Sequence, residues 1–248
     1  MSSTSAARYR DALPQLAAPQ FLAEGGLETT LIFHEGHELP DFAAYDLLTR
    51  EGGEEALRRY FDPYVRVAGE AGVGIVLDTA TWRASPDWAD RLGHSQVQLV
   101  ELNRRAVELL VELRDEHETP SSPIVISGCI GPRGDGYVVA EAMDADVAGA
   151  YHSVQIGTFA ETPADMVSAL TMTYVDEAVG IVQAARAAGL PVVISFTVET
   201  DGRLPSGQPL REAIEEVDGR TAGAASYFMV NCAHPSHFDG VLEPGTAW

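Results

Sequence analysis

Pro191-Val192-Val193-Ile194-Ser195-Phe196-Thr197 is the stretch on which the fold turns. It is β-branched and apolar almost throughout, without the alternation of a strand that faces water on one side. That pattern suits a strand covered on both faces, as in a parallel sheet. Upstream, Tyr174–Ala188 has helical spacing and is closed by Gly189, a helix stop. Downstream, Leu210–Val217 reads as a short helix and Ala225–Val230 as another strand, ending at Asn231-Cys232.

The same alternation extends toward the amino terminus. Gln20–Ala23 reads as a strand running into Glu24-Gly25-Gly26, and Gly53–Ala71 as a helix with Leu57, Tyr60, Phe61, Tyr64, Val65 and Ala68 on one face. Val73–Thr79 reads as a buried strand and Ser95–Glu118 as a long helix. Pro123–Ser127 reads as a third strand followed by a turn over Gly128–Gly136. Asp144–Phe159 reads as helix and Asp165–Leu170 as a weaker fourth strand.

This order predicts an α/β fold with helices covering a parallel sheet, which a doubly wound sheet and a (βα)8 barrel both satisfy. No GxGxxG follows the first strand, which argues against the dinucleotide-binding version. Polar or glycine-rich residues cluster after the strands, where a barrel keeps its chemistry. The pattern leans toward a barrel, with about six βα units. Residues 1–19 read as an amino-terminal extension and 20–248 as the barrel domain, lacking its last strands, with Glu243–Trp248 resembling the middle of a loop.

Composition narrows the function classes. A net charge of −21 repels phosphate backbones and argues against nucleic-acid binding. No stretch reaches the roughly 18 apolar residues of a membrane span. Cys129 and Cys232 form no disulfide framework and read as reduced thiols, which points to a cytoplasmic protein.

Five segments in order resemble one family. They are Glu24-Gly25-Gly26-Leu27-Glu28-Thr29, Asp78-Thr79-Ala80-Thr81-Trp82-Arg83-Ala84-Ser85, Ser127-Gly128-Cys129-Ile130-Gly131-Pro132, Val193-Ile194-Ser195-Phe196 with Gly202 and Gly207, and Val230-Asn231-Cys232. From about Gln20 to Pro235 the chain is similar to homocysteine S-methyltransferases. The resemblance implies a (βα)8 TIM-barrel type of fold, incomplete here with about six βα units. It implies a zinc-dependent enzyme that moves a methyl group from a sulfonium or ammonium donor to the thiol of homocysteine or a similar thiol. It implies Cys232 as a zinc ligand and Glu24 as the residue facing the substrate amino group. Two departures stand out. The family's Gly-Gly-Cys-Cys motif, which carries the other two zinc ligands, does not occur here, and Leu170-Thr171 stands where relatives have a substrate-binding glutamate. A non-catalytic or metal-free small-molecule-binding barrel is the alternative reading, and a metal-free lyase using Glu24 and Glu199 a third.

The candidate substrate-binding residues are Glu24, Gly25, Gly26, Thr79 and Asn231, the candidate metal ligand is Cys232, and no catalytic acid or base is assigned. Glycines at 25 and 26 let backbone approach a ligand or simply form the turn. Thr79 and Thr81 either orient a ligand or cap the strand end. Trp82 either covers a cationic donor or packs. Cys129 reads as a small buried residue, with a place in the pocket lining as the alternative, and Glu199 and Asp201 as turn acids, donor-binding groups or a base. Arg133 and Asp135 read as a loop pair. His234 and His237 read as solvated, with substitute metal ligation as the alternative. The partners expected are a small-molecule thiol acceptor and a methyl donor. Two unpaired sheet edges would also favour a homo-oligomer.

Overall fold

The computed structural model describes residues 6–18, 20–139 and 141–242, so Glu243–Trp248 lie outside the described residues. Six strands form one parallel sheet in chain order: β1 Phe21–Ala23, β2 Gly74–Asp78, β3 Ile124–Ile130, β4 Met166–Met172, β5 Val192–Phe196 and β6 Tyr227–Val230. The sheet curls into an incomplete barrel, as the strand–helix alternation predicts. The main helices are α1 Leu27–Thr29, which continues as a π turn over Thr30–His34, then α2 Gly53–Ala71, α3 Pro86–Leu92, α4 Gln96–His117, α5 Ala145–Ala160, α6 Val175–Ala187 and α7 Leu210–Thr221. No helix among the described residues is long and apolar enough to cross a membrane.

The strands bury both faces for different purposes. Ile75, Leu77, Ile126, Val167 and Ile194 face the helices and belong to the large core beneath them. Leu57, Phe61 and Val65 of α2 and Leu110 and Leu113 of α4 reach that core from the other side. At about 25 cal/mol per Å2 of apolar surface, each fully buried Leu or Phe contributes about 1.5–3 kcal/mol to folding. Ser95 begins α4 with a reciprocal capping box to Gln98, which satisfies two donors at the helix start.

The other face follows the period of two. Val76, Val125, Met166 and Val193 form a small apolar layer with Phe21, Tyr227 and Met229 at the start of the strands. Two residues further along each strand the layer becomes polar: Asp78 pairs in register with Ser127, and Cys129 with Ser168. The interior of the curl is thus apolar at one end and polar at the other.

Residues 6–18 close the apolar end. Leu13 is buried in that layer. The Arg8 and Tyr9 backbone N–H groups each donate to Asp165 Oδ1 at 2.8 Å. Asp165 Oδ2 accepts from Arg114 Nη1 at 2.8 Å and from the Ile126 backbone at 2.9 Å, with Arg114 and Asp165 both wholly buried. Arg10 reaches the carbonyls of Ala160, Thr162 and Ala164.

The sequence expectation is corrected at β3. Gly128-Cys129-Ile130 are strand, not turn. Gly128 is needed there because a Cβ would come within 2.5 Å of the Phe159 ring on α5. The helix packs onto the strand through the missing side chain.

Candidate active site

The polar end of the curl opens into a cavity of about 340 Å3. Glu24, Gly25, Gly26, Thr79, Asn231 and Cys232 all line it. It lies at the carboxyl ends of the strands, where successive βα turns bring distant segments together.

Glu24 follows directly after β1. Its Oε1 accepts from the Asp78 backbone N–H at 2.9 Å, which ties the end of β1 to the end of β2. Its Oε2 is buried with no hydrogen-bond partner, and so is Asp78 Oδ1. Burial, and then the charge of Asp78, pushes the Glu24 carboxyl well above its ordinary range. Burial raises Asp78 to about 6 against the opposing hydroxyls of Ser127 and Ser168. Burial also raises Glu28 to about 7, opposed by its backbone hydrogen bond and by Arg83. Three carboxyls with raised affinity for protons therefore share one small space. Glycine at 25 answers to packing, since a Cβ there would meet the Tyr64 hydroxyl at 2.7 Å while the Tyr60 hydroxyl donates to the Gly25 carbonyl at 2.8 Å.

Thr79 and Thr81 stitch β2 to β3. The Cys129 N–H donates to Thr79 Oγ1 at 2.9 Å, Thr81 Oγ1 donates to the Cys129 carbonyl at 2.7 Å, and the two hydroxyls lie 2.6 Å apart. Thr79 is thus engaged with its neighbours while it lines the cavity. Cys129 is buried, and burial and then the charge of Asp78 push its thiol well above the usual range.

Asn231 is a clamp. Its Oδ1 accepts from the Thr171 N–H and the Ser195 hydroxyl, both at 2.8 Å, and its Nδ2 donates to Thr171 Oγ1 at 2.9 Å and to Cys232 Sγ at 3.3 Å. It ties β4, β5 and β6 together at their carboxyl ends. Thr171 and Cys232 both have left-handed backbone, with φ of 64° and 53°. Such conformations in residues with a Cβ are uncommon and are held by their surroundings. The strained pair, one of them β-branched, is gripped by one amide. Cys232 is exposed, and burial and then the nearby Cys232 push the Tyr137 hydroxyl up to about 12. Thr171 and Leu170 line the cavity, so this wall carries no carboxylate.

Trp82 presents its ring to a cation, but the cation is the protein's own. Arg83 Cζ lies 3.9 Å from the ring centroids of both Trp82 and Trp88. Burial lowers the Arg83 pKa to about 10.

Of the remaining candidates, Asp135 lines the cavity, and Glu199, Asp201, Arg133 and His234 do not. Glu199 and Asp201 lie in the turn after β5, where Asp201 is exposed. The expected Arg133–Asp135 pair does not form: Arg133 Nε donates to Asp87 at 2.7 Å, and Asp135 accepts from the N–H groups of Tyr137 and Val138. His234 Nδ1 is engaged by Ser236 through its hydroxyl at 2.8 Å and its N–H at 3.2 Å.

Asp78, Glu28, Arg83 and Tyr137 are the lining residues that the sequence did not single out. Asp78 has a recoverable signal, being an acid that closes an apolar strand two residues after Val76 and so shares its face. Arg83 has none, because only the turn between β2 and α3 brings Trp88 back over it.

Zinc requires about four donors in tetrahedral array. Among the described residues no group of three His, Cys, Asp or Glu side chains could hold a metal ion. Cys232 and the buried Cys129 are the thiols of the lining, among an amide, a phenol and carboxyls, and no three such donors group together, so these residues alone do not fit the metal.

A family profile described as homocysteine S-methyltransferase matches residues 21–245. Among solved structures, the metallated form of the homocysteine methyltransferase MmuM from Escherichia coli is similar at 20% identity and a TM-score of 0.72, covering 89% of this chain and 77% of that one. The oxidized form of the same protein gives 21% identity and a TM-score of 0.73, covering 89% and 76%. The apo form gives 21% and 0.65, covering 90% and 75%. No curated protein sequence matches the chain.

Proposed function

The chain belongs to the homocysteine S-methyltransferase family, and on that premise we propose that it transfers a methyl group from a sulfonium or quaternary ammonium donor to the thiol of homocysteine or a similar thiol. The observation that carries the reading is the convergence of Glu24 and the Asn231–Cys232 corner on one cavity at the strand ends. In this transfer the acceptor sulfur gives its electron pair to the methyl carbon. The carbon's bond to the donor's positive sulfur or nitrogen breaks, and the donor leaves neutral. The acceptor's thiol proton goes to a carboxylate of the cavity wall, where Glu28 at about 7 and Asp78 at about 6 have suitable affinity. The site's contribution is to hold sulfur and methyl in line and to keep water away. Glu24, with an unpartnered oxygen, suits the acceptor's ammonium group.

Zinc, with Cys232 as one ligand, remains the cofactor that the resemblance implies, and completing its shell would take donors that the described residues do not include. That no three metal-binding side chains group together among the described residues favours a second reading, in which the cavity binds a small molecule without metal or turnover. Incubating the chain with homocysteine and a sulfonium or quaternary ammonium donor, with and without zinc, separates the two. Methionine formation that falls at least tenfold in E24Q supports transfer. Binding of homocysteine without any product, whatever the donor or metal, supports the second reading and sinks the first.

A further inference from the structure

Arg83 is 6% exposed and lines the cavity, as well as the adjoining cleft formed with Trp88 and Arg91. Both of its faces are covered by indole rings, so any further partner must approach at the guanidinium edge, in the plane of the N–H groups. On that edge Nη1 donates to the Gly134 carbonyl at 2.7 Å, while Nε is buried with no acceptor. The Trp88 indole N–H is also buried without an acceptor, and Trp88 lines the adjoining cleft rather than the cavity itself. A buried charge left unpaired is costly. The wholly buried Arg114 shows the usual solution, a carboxylate of this chain at 2.8 Å. Arg83 has no such ion pair among the described residues. Of the nearby acids, Asp41 is paired with Arg91 at 3.2 Å, Asp87 with Arg133 at 2.7 Å, and Asp135 accepts from two backbone N–H groups, while Glu28 shares the cavity and feels the Arg83 charge without forming an ion pair with it.

We propose that Arg83, clamped between Trp82 and Trp88, is the residue that receives a ligand carboxylate, so that the cavity selects zwitterions over simple thiols or simple cations. This rests on the reading that acceptor and donor meet in this cavity. Arginine suits the task because its planar fork matches a carboxylate edge to edge, and the two rings fix that plane in advance. The cavity is then bipolar, with Glu24 and Asp78 each offering one unpartnered oxygen on one wall for an ammonium group and Arg83 on another for the carboxylate. It is the basic residue of a lining that otherwise carries Glu24, Glu28, Asp78 and Asp135.

The carboxylate can belong to the acceptor or to the donor, and paired ligands distinguish them. Calorimetric titration compares homocysteine with 3-aminopropane-1-thiol, which lacks only the carboxylate. It also compares trimethylammonioacetate with tetramethylammonium, which lacks the carboxylate. The wild-type chain is expected to prefer the carboxylate-bearing member of at least one pair by about 10- to 100-fold, the range of a charge-assisted hydrogen bond. R83Q removes that preference without weakening the carboxylate-free member. R83K, which keeps the charge but not the plane, recovers only part of it. The pair showing the effect identifies whose carboxylate is bound. No preference in the wild type overturns the proposal without recourse to any variant, and so does a preference that survives in R83Q. Methyl transfer is measured on the same samples. Turnover with an Arg83-independent preference sinks this proposal alone. An Arg83-dependent preference without turnover sinks the proposed function alone.

Discussion

Replacing Glu28 by Gln should make the protein more stable at alkaline pH and leave it unchanged in mild acid. Burial holds the folded carboxyl at about 7, against an ordinary value of 4.5. Below about pH 4.5 the acid is protonated in both folded and unfolded chains and contributes no difference. Between 4.5 and 7 the unfolded chain releases the proton and the folded one keeps it, so stability falls as pH rises. Above 7 both are ionised and the loss is complete. At about 1.4 kcal/mol per pH unit, a rise from 4.5 to about 7 comes to about 3 kcal/mol. That is a large share of the roughly 5–15 kcal/mol that stabilises a domain. Gln stands in for the protonated acid and is immune to the effect. Urea unfolding of wild type and E28Q from pH 4.5 to 8.5 should give matching curves at the acid end and a gap widening to about 3 kcal/mol in favour of E28Q. A gap that does not change with pH, or an E28Q protein that is the less stable at pH 8, would refute the assignment of Glu28 as a buried, unpaired acid. Asp78 and Glu24 shift in the same direction and remain in both proteins; the Glu28 charge also contributes to raising Glu24, so relief of Glu24 in E28Q acts in the same direction as the loss of Glu28.

Three further outcomes follow from the packing. D165A should lose about 3–5 kcal/mol, because it leaves Arg114 buried without its counter-charge; it should also expose residues 6–18 to protease, and D165A/R114M should recover much of the stability, so full stability in D165A counts against Asp165 as the anchor of that segment. In the native protein one thiol, Cys232, should react with an aromatic disulfide, and Cys129 only after denaturation, since it is buried with a raised thiol pKa; simultaneous reaction of both would contradict the buried position. Strands β1 and β6 each leave one edge unpaired among the described residues, so sedimentation should reveal association that reverses on dilution, and a monomer at every concentration would dispose of the idea.

The outward architecture was legible because β2 and β5 are unbroken apolar runs and their helices end in clear stops. The interior was not. Ser127, Ser168 and Ser195 each read as a lone serine in an apolar strand, and only the register shows that Ser127 and Ser168 meet at 2.7 Å beside Asp78. Thr171 reads as an ordinary residue at a strand end, yet its backbone is left-handed, and the pairing of β4 with β5 shifts between Ala169 and Met172. No local pattern announces this, since the conformation is held by Asn231, 60 residues away. The amino-terminal segment was opaque for the same reason: Leu13 looks incidental in a Ser/Ala-rich stretch until the apolar end of the curl is seen to need a cover. The six candidate residues follow from the resemblance; Asp78, Glu28 and Arg83 lie in the same segments, and Asp78 has a signal of its own at the strand end, but the roles of Glu28 and Arg83 emerge only from tertiary packing.

The charge arrangement bears on how a transfer in this cavity would begin and end. A sulfonium or ammonium donor enters with one positive charge and is attracted by the carboxyls of the wall, although burial holds much of that charge in check near neutral pH. An arriving cation opposes this effect and draws a carboxyl into its ionised form, so binding should be accompanied by proton release. Transfer reverses the balance. The donor becomes neutral, and the acceptor's proton neutralises the carboxylate that held it. The attraction that gathers the reactants is thereby consumed by the reaction, and the spent donor leaves without a counter-charge to hold it. A permanently ionised acid would not behave in this way, and neither would a permanently neutral amide. In such a transfer the raised affinity of Glu28 and Asp78 for protons would be the property that couples entry to release.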